Sequence, residues 1–235
     1  VVDRATDVVA TAKHPRLWRD LLKFSARIDD DRVRITTPSG GVLDATHPDA
    51  ERVLSEALGR PVRVCSERPD GATVERPDPE DVLEHGVEAV VEAATLEIGQ
   101  GTPGTTFVDY APLHLITSAT LDEVGVENVR YRPNVVLETP PGTAPFVEND
   151  WIGRELEVRG ANGAGPTLRI SLPTPRCSVP TLEHGSLPRA AQAVRTLMRS
   201  NRVDVPGFGV LPCAGCYAEV TTAGVLRVGD ELALR

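Results

Sequence analysis

"TLRISLPTPRCSVPT", residues 167–181, is the stretch on which the architecture turns. It reads as a strand, "TLRISLP", running into a turn with prolines on both sides of a single cysteine, Cys177. Around it the second half of the chain repeats one theme. "NVVLE", "RELEVRG" and "YAEVTTAGVLRVGDELAL" are further short strands at short intervals, and one good helix, "LPRAAQAVRTLMRSN", interrupts them. That spacing predicts a small β-barrel or sandwich with one covering helix.

Outward from there, composition sets the bounds. A chain of 235 residues that is 40% hydrophobic and 25% charged has enough length and apolar content for one large domain or two small ones. The formal net charge of -9 implies no broad basic face, which disfavours a nucleic-acid partner. No run approaches the roughly 20 apolar residues that span a bilayer, so a cytoplasmic protein without a membrane partner is expected. The chain opens on Val1 in mid-pattern, from which a missing upstream segment is expected. Four cysteines, Cys65, Cys177, Cys213 and Cys216, are too sparse for a disulfide scaffold and read as thiols.

The first half reads as a mixed α/β unit. "VVDRATDVVATA" predicts two strands about a turn, and "RVRITTPSGGVLDATH" a hairpin turning at Pro38–Gly41. In "HPDAERVLSEALGRPVRV", Pro48 suits a first helical turn, Val53, Leu54, Ala57 and Leu58 form an apolar stripe, and Gly59 stops the helix before a strand. Between Cys65 and Phe107, "ERPDGATVERPDPEDVLEHG" and "GQGTPGTT" read as exposed loops flanking a short Val/Ala-rich segment. A boundary near residue 105 divides a 1–104 domain from a 105–235 domain.

Several residues have the chemistry for a site. Cys177 sits on a loop stiffened by proline, and the neighbouring Arg176 can stabilise a thiolate, the form that ligates metals or attacks sulfur. A buried, inert cysteine is the competing reading. Cys213 and Cys216 have C-x-x-C spacing, but no second pair or histidine partner completes a zinc site and no thioredoxin-like βαβ context surrounds them; "PCAGC" reads as a turn entering the barrel. Thr117, Ser118 and Thr120 stand where a strand passes into a short helix, and capping explains one hydroxyl rather than three. In "VRYRPNVVLE", Pro133 pushes Arg132 towards extended geometry, on one face with Arg130. Such an arginine either grips an anionic ligand or pairs with Glu127 or Glu138. The five histidines show no ligand spacing, and His114 in "PLHLI" reads as a core or half-buried residue. Hydrolase, NTPase and dinucleotide fingerprints do not occur.

Five segments taken in order, "FVDYAPLHLITSATLDEV", "VRYRPNVVLE", "FVENDWIGRELEV", "PTPRCSVPT" and "GCYAEVTTAGVLRVGDELAL", resemble the MOSC domain, named for the C-terminal domain of molybdenum-cofactor sulfurase. The upstream part, "VVDRATDVVATAKHPRL" through "GRPVRV", resembles that family's N-terminal companion domain. The resemblance implies a β-rich mixed α/β fold: a MOSC-type β-barrel with covering helices plus a smaller, N-terminally incomplete α/β domain. It also implies an oxidoreductase like the amidoxime-reducing components, binding molybdenum cofactor (molybdopterin) and reducing N-hydroxylated small molecules. Carried over by motif, Cys177 is the molybdenum ligand, and Thr117, Ser118, Thr120, Arg132, Asn134 and Arg176 contact the cofactor. No iron–sulfur motif is found, so an external ferredoxin- or cytochrome-type donor is expected. The "YPVKS"-like strand and "DRxW" segment usual in the family are not in this chain, and Cys216 replaces the small aliphatic residue usual before "YA", placing a second thiol near the barrel wall. A sulfur carrier with a persulfide on Cys177 and a non-catalytic cofactor-binding module are the alternative readings.

Overall fold

A computed structural model describes residues 1–160 and 163–235. The chain forms two compact units that are not contiguous in sequence. The first holds residues 1–98, 104–107 and 177–191; the second holds 99–103, 108–176 and 192–235.

The first unit is mixed α/β. Strand β1 (Val2–Asp3), helix α1 (Pro15–Trp18), strands β2 (Ser25–Asp29), β3 (Arg32–Thr36) and β4 (Val42–Asp44), helix α2 (Ala50–Leu58) and strands β5 (Val62–Arg63) and β6 (Thr73–Pro77) follow in order, then helix α3 (Pro79–His85) and strand β7 (Ala93–Glu97). They pair as β1–β5, β2–β3–β4 and β6–β7, all antiparallel. The predicted hairpin at Pro38–Gly41 joins β3 to β4. Helix α2 buries Leu54 against Trp18 and Val62, and ends at Gly59, whose φ of 66° is the left-handed cap that glycine adopts without strain.

Three local expectations for this half are corrected. "VVATA" is not a strand: Val9 makes one isolated bridge to Val2 before the chain turns into α1. Pro48 precedes the cap residue Asp49 instead of sitting in the first turn. The 65–107 stretch is not loop alone. β6 buries Val74, α3 starts at Pro79 with Asp78 accepting from Glu80 N, and β7 completes the pair, because isolated apolar residues there alternate inward under a polar sequence.

The second unit is strand-rich. It runs β8 (Leu113–Thr117), α4 (Ser118–Val124), β9 (Val135–Leu137), β10 (Glu155–Gly160), β11 (Gly163–Pro175), α5 (Gln192–Ser200), β12 (Arg202–Val205), β13 (Gly209–Thr222) and β14 (Glu231–Leu234). One sheet in the order β14-β10-β11-β13-β8-β9, with β12 added on β13, curls as a half-barrel; only β8–β9 is parallel. Successive residues of a strand face opposite ways, so Leu115 and Ile116 of β8 enter two different cores. Leu115 joins Leu168, Ile170, Cys216 and Ala218, whereas Ile116 joins Val124, Tyr131, Ala193 and Leu197 under α4 and α5. The β-rich barrel-type architecture with few covering helices is the predicted one.

"PCAGC" is not a turn into the barrel but the middle of β13. There the pairing jumps from Pro173 with Cys216 to Pro175 with Cys213, two steps on β11 against three on β13. The extra residue makes a bulge, and Gly215 takes it up at φ 76°. The bulge flips the face, which is why Ala214 and Cys216, two apart, lie in different cores. The expected helix "LPRAAQAVRTLMRSN" is helical from Gln192 to Ser200; residues 187–191 belong to the other unit. Among the described residues no helix is long and apolar enough to cross a membrane.

Candidate functional site

The second unit centres on a buried guanidinium. Arg176, at the end of β11, is 8% exposed. Its Nε donates to Ala214 O at 3.0 Å, Nη1 donates to Tyr131 O at 3.3 Å, and Nη2 donates to Ala214 O and to the His114 ring. The guanidinium carbon lies 5.1 Å from the centre of the Tyr131 ring. A planar fork spreads its donors over three nitrogens and so reaches two carbonyls and an imidazole that an ammonium would have to serve from a single point. His114 is buried on β8, and burial first, then the charge of Arg176, holds its pKa well below the usual imidazole range. It is therefore neutral, with Nε2 accepting from Arg176 Nη2. The Tyr131 hydroxyl donates to Ala193 O at 2.6 Å, and burial pushes its pKa up. Gly215 is required beside this cluster: a Cβ there would overlap Leu115 O and the His114 ring.

This cluster sets the backbone of "RYRPN". Arg130 ends a 3-10 turn, is 2% exposed and pairs with Glu127, the partner expected of a non-functional arginine. Arg132 departs from its expected extended backbone. Its φ is 51°, where the chain turns between Tyr131, whose carbonyl accepts from Arg176 Nη1, and Asn134, which is tied to His114. The two arginines therefore do not share a face: Arg130 is buried and Arg132 exposed. Asn134 is pinned to His114 by two backbone bonds, His114 N to its Oδ1 and its own N to His114 O, both 2.8 Å.

The three hydroxyls at the β8–α4 corner have separate fates. Thr117 is the helix cap, accepting from Thr120 N at 3.1 Å, and it donates to Glu148 Oε2 at 2.9 Å. Thr120 Oγ1 accepts from Phe146 N at 2.8 Å. Both threonines are fully buried. Ser118 bonds Thr139, accepting from its N at 3.0 Å, and borders a hollow of about 330 Å³ closed by Asp122, Glu123, Pro140 and Thr143. Two carboxylates and no basic side chain line that hollow, which makes it a poor seat for a phosphate.

Glu148 was not singled out in the sequence. It is 1% exposed, with Oε1 unpartnered among the described residues. Its only sequence signal is an acid among Phe146, Val147 and Trp151. Burial, and next the Glu148 charge, push the Cys216 thiol up, so that sulfur is an inert core atom.

Cys177 itself is half-buried and free, and opens the 177–191 segment of the first unit. Behind it, Ser178 O accepts from Thr181 N at 2.9 Å and from Thr181 Oγ1 at 2.7 Å, and Thr181 O accepts from Ala190 N at 3.0 Å. Ser178 is fully buried, yet its hydroxyl has no partner among the described residues. Among the described residues no group of three His, Cys, Asp or Glu side chains could hold a metal.

A family model described as the MOSC domain matches residues 104–233, more than half of the chain. No curated protein matches it.

Proposed function

The chain belongs to the MOSC domain family, which is associated with molybdenum-cofactor binding, and from that premise we propose a molybdenum-cofactor oxidoreductase that reduces N-hydroxylated small molecules. The observation that carries the reading is Cys177, a half-buried free thiol at the head of a hydrogen-bonded turn.

The residues fit such a group. One thiolate is a soft donor suited to molybdenum, and a single protein ligand suits a metal that arrives inside a cofactor. Ser178, next in the chain, is fully buried and holds the turn behind Cys177 through its carbonyl. Arg132 is exposed on a strained backbone, and left-handed geometry in an arginine is the sort of cost that functional positions retain.

In this proposal Cys177 holds the metal as thiolate, and Arg132 and Asn134 supply donors to the anionic part of the cofactor. Ser118, closed onto Thr139, and Thr117 and Thr120, bonded within the unit, act by keeping the β8–α4 corner in place. Arg176, the residue that precedes the ligand, is itself anchored through Ala214, Tyr131 and His114. The cofactor, when bound, supplies the oxygen-accepting two-electron chemistry, and a separate ferredoxin- or cytochrome-type protein supplies the electrons. Cleaving one N–O bond consumes two electrons and two protons and releases water.

The test is molybdenum and pterin analysis of the protein purified from a cofactor-producing host. About one equivalent of each is expected, with both lost in Cys177→Ala. Full N-hydroxy reduction by Cys177→Ala rejects the assignment, and cyanide-labile sulfur on Cys177 in place of molybdenum identifies a sulfur carrier.

A further inference from the structure

Among the described strands, β2 (Ser25–Asp29) is the only one exposed at every residue, and it lies at the outside of its sheet, paired with β3 alone. It enters β3 through Asp30 and Asp31, whose φ values of 47° and 60° make the tight hairpin turn that suits the strand twist. Val33 O accepts from Ala45 N at 2.8 Å on the β4 side, so the alternate residues Arg32, Arg34 and Thr36 bond towards β2. By register their partners are Asp29, Arg27 and Ser25. The N–H and C=O groups of Ala26 and Ile28 therefore face the open edge.

The side chains on either face of this edge are not arranged at random. Ala26, Ile28, Val33, Ile35 and Leu43 share one face. Ile35 packs on the core of Trp18, Leu54 and Val62, and the apolar face then runs on past that core, where Val33 is 42% and Ile28 78% exposed. Proteins ordinarily guard such an edge with charge, and a guard of one sign repels a copy of itself. β2 carries one charge of each sign instead. Arg27 and Asp29 stand symmetrically about Ile28 on the opposite face, and they lie 3.7 Å apart, too far for a hydrogen bond.

We propose that β2 is a self-association edge: two copies of the chain join their β2 strands antiparallel, with Ile28 of one opposite Ile28 of the other. The three-stranded sheet is thereby doubled about a two-fold axis, with the same patch serving both sides. The outward backbone groups of the two Ile28 residues bond each other at the axis. On one face the exposed apolar side chains meet their copies. On the other, each Arg27 falls opposite the second copy's Asp29, in the positions where cross-strand side chains approach most closely. A register slipped by two residues, with Ala26 opposite Ile28, sets Arg27 against Arg27, so charge selects the first arrangement.

Sedimentation equilibrium on the full chain is the test. The mass of 25.2 kDa at high dilution should rise towards twice that value as the protein is concentrated to about 1 mM, the weakest class of specific affinity. Arg27→Asp and Asp29→Arg each set like charges at both pairs, so either variant alone should associate at least about tenfold more weakly. Their melting temperatures at high dilution should match the wild type, because both side chains are exposed. Mixed one to one, the acidic edge meets the basic edge and the doubled mass should return. A wild-type chain that stays at 25.2 kDa throughout overturns the proposal and leaves the edge to a strand of a different protein. A dimer that persists in either charge variant, or a mixture that remains monomeric, also overturns it.

Discussion

Replacing Arg176 by methionine should cost the second unit about 3–5 kcal/mol. Methionine keeps much of the apolar stem volume but removes the fork that donates to Ala214 O, Tyr131 O and His114. Two buried carbonyls and a buried imidazole then lose a charged donor, and each unsatisfied group costs roughly 1–3 kcal/mol. Three such groups set a floor of about 3 kcal/mol, and release from burying a charged guanidinium holds the total near 3–5 kcal/mol. The chain has two tryptophans, Trp18 in the first unit and Trp151 in the second. In a Trp18→Phe background, Trp151 fluorescence therefore reports the second unit during urea unfolding. With a slope of ~2–3 kcal/mol per molar urea, the midpoint should fall by about 1–2.5 M. Arg176→Lys should recover less than half of the loss, since one ammonium nitrogen reaches both carbonyls and the imidazole less well than the spread fork does. A change below about 1 kcal/mol in Arg176→Met would refute the view that this guanidinium is an internal brace.

The same fluorescence assay checks two further expectations. Gly215→Ala forces a side chain into a backbone at φ 76° and against Leu115 O and the His114 ring, so a loss above about 3 kcal/mol is expected, and a neutral result contradicts the bulge geometry. His114 has a folded-state pKa held below its unfolded value of about 6.5 by burial and by Arg176. Below that value the unfolded chain takes up a proton that the folded unit refuses. Stability is thus full above about pH 6.5 and declines as pH falls, by at most ~1.4 kcal/mol per unit, down to the folded pKa. His114→Gln should flatten that decline between about pH 6.5 and 5.5, and an unaltered slope in the variant would count against the linkage.

Much of the fold was legible because it is local or periodic. The strands around "TLRISLP", the hairpin at Pro38–Gly41, the stop at Gly59 and the short strand-to-helix passage at Thr117 are written in neighbouring residues. The ordered MOSC segments carried the family as well, since they lie within the matched residues 104–233. "PCAGC" misled because glycine between cysteines looks like a turn, whereas pairing with β11 on one side and β8 on the other makes it a bulged strand. Arg132 misled for a related reason. The residue before a proline favours extended backbone by local sterics, but the Tyr131 carbonyl held by Arg176 on one side and Asn134 tied to His114 on the other override a preference of that size.

By itself the sequence determined which groups are available: one cysteine in a proline-stiffened turn, a run of hydroxyls at a strand end, arginines two apart, and alternating apolar residues sufficient for a barrel-type sheet. Only the tertiary structure decided how those groups are used. Arg176 is turned inward as a brace, Arg130 is buried and Arg132 exposed, Thr117 and Thr120 bond inside the unit, and the Ser178 hydroxyl is buried without a partner. The physical reason is that a residue's type and spacing set what it can donate or accept, whereas its partners come from strands and turns far away in the chain. Ala214 lies 38 residues from Arg176 and Glu148 lies 31 from Thr117.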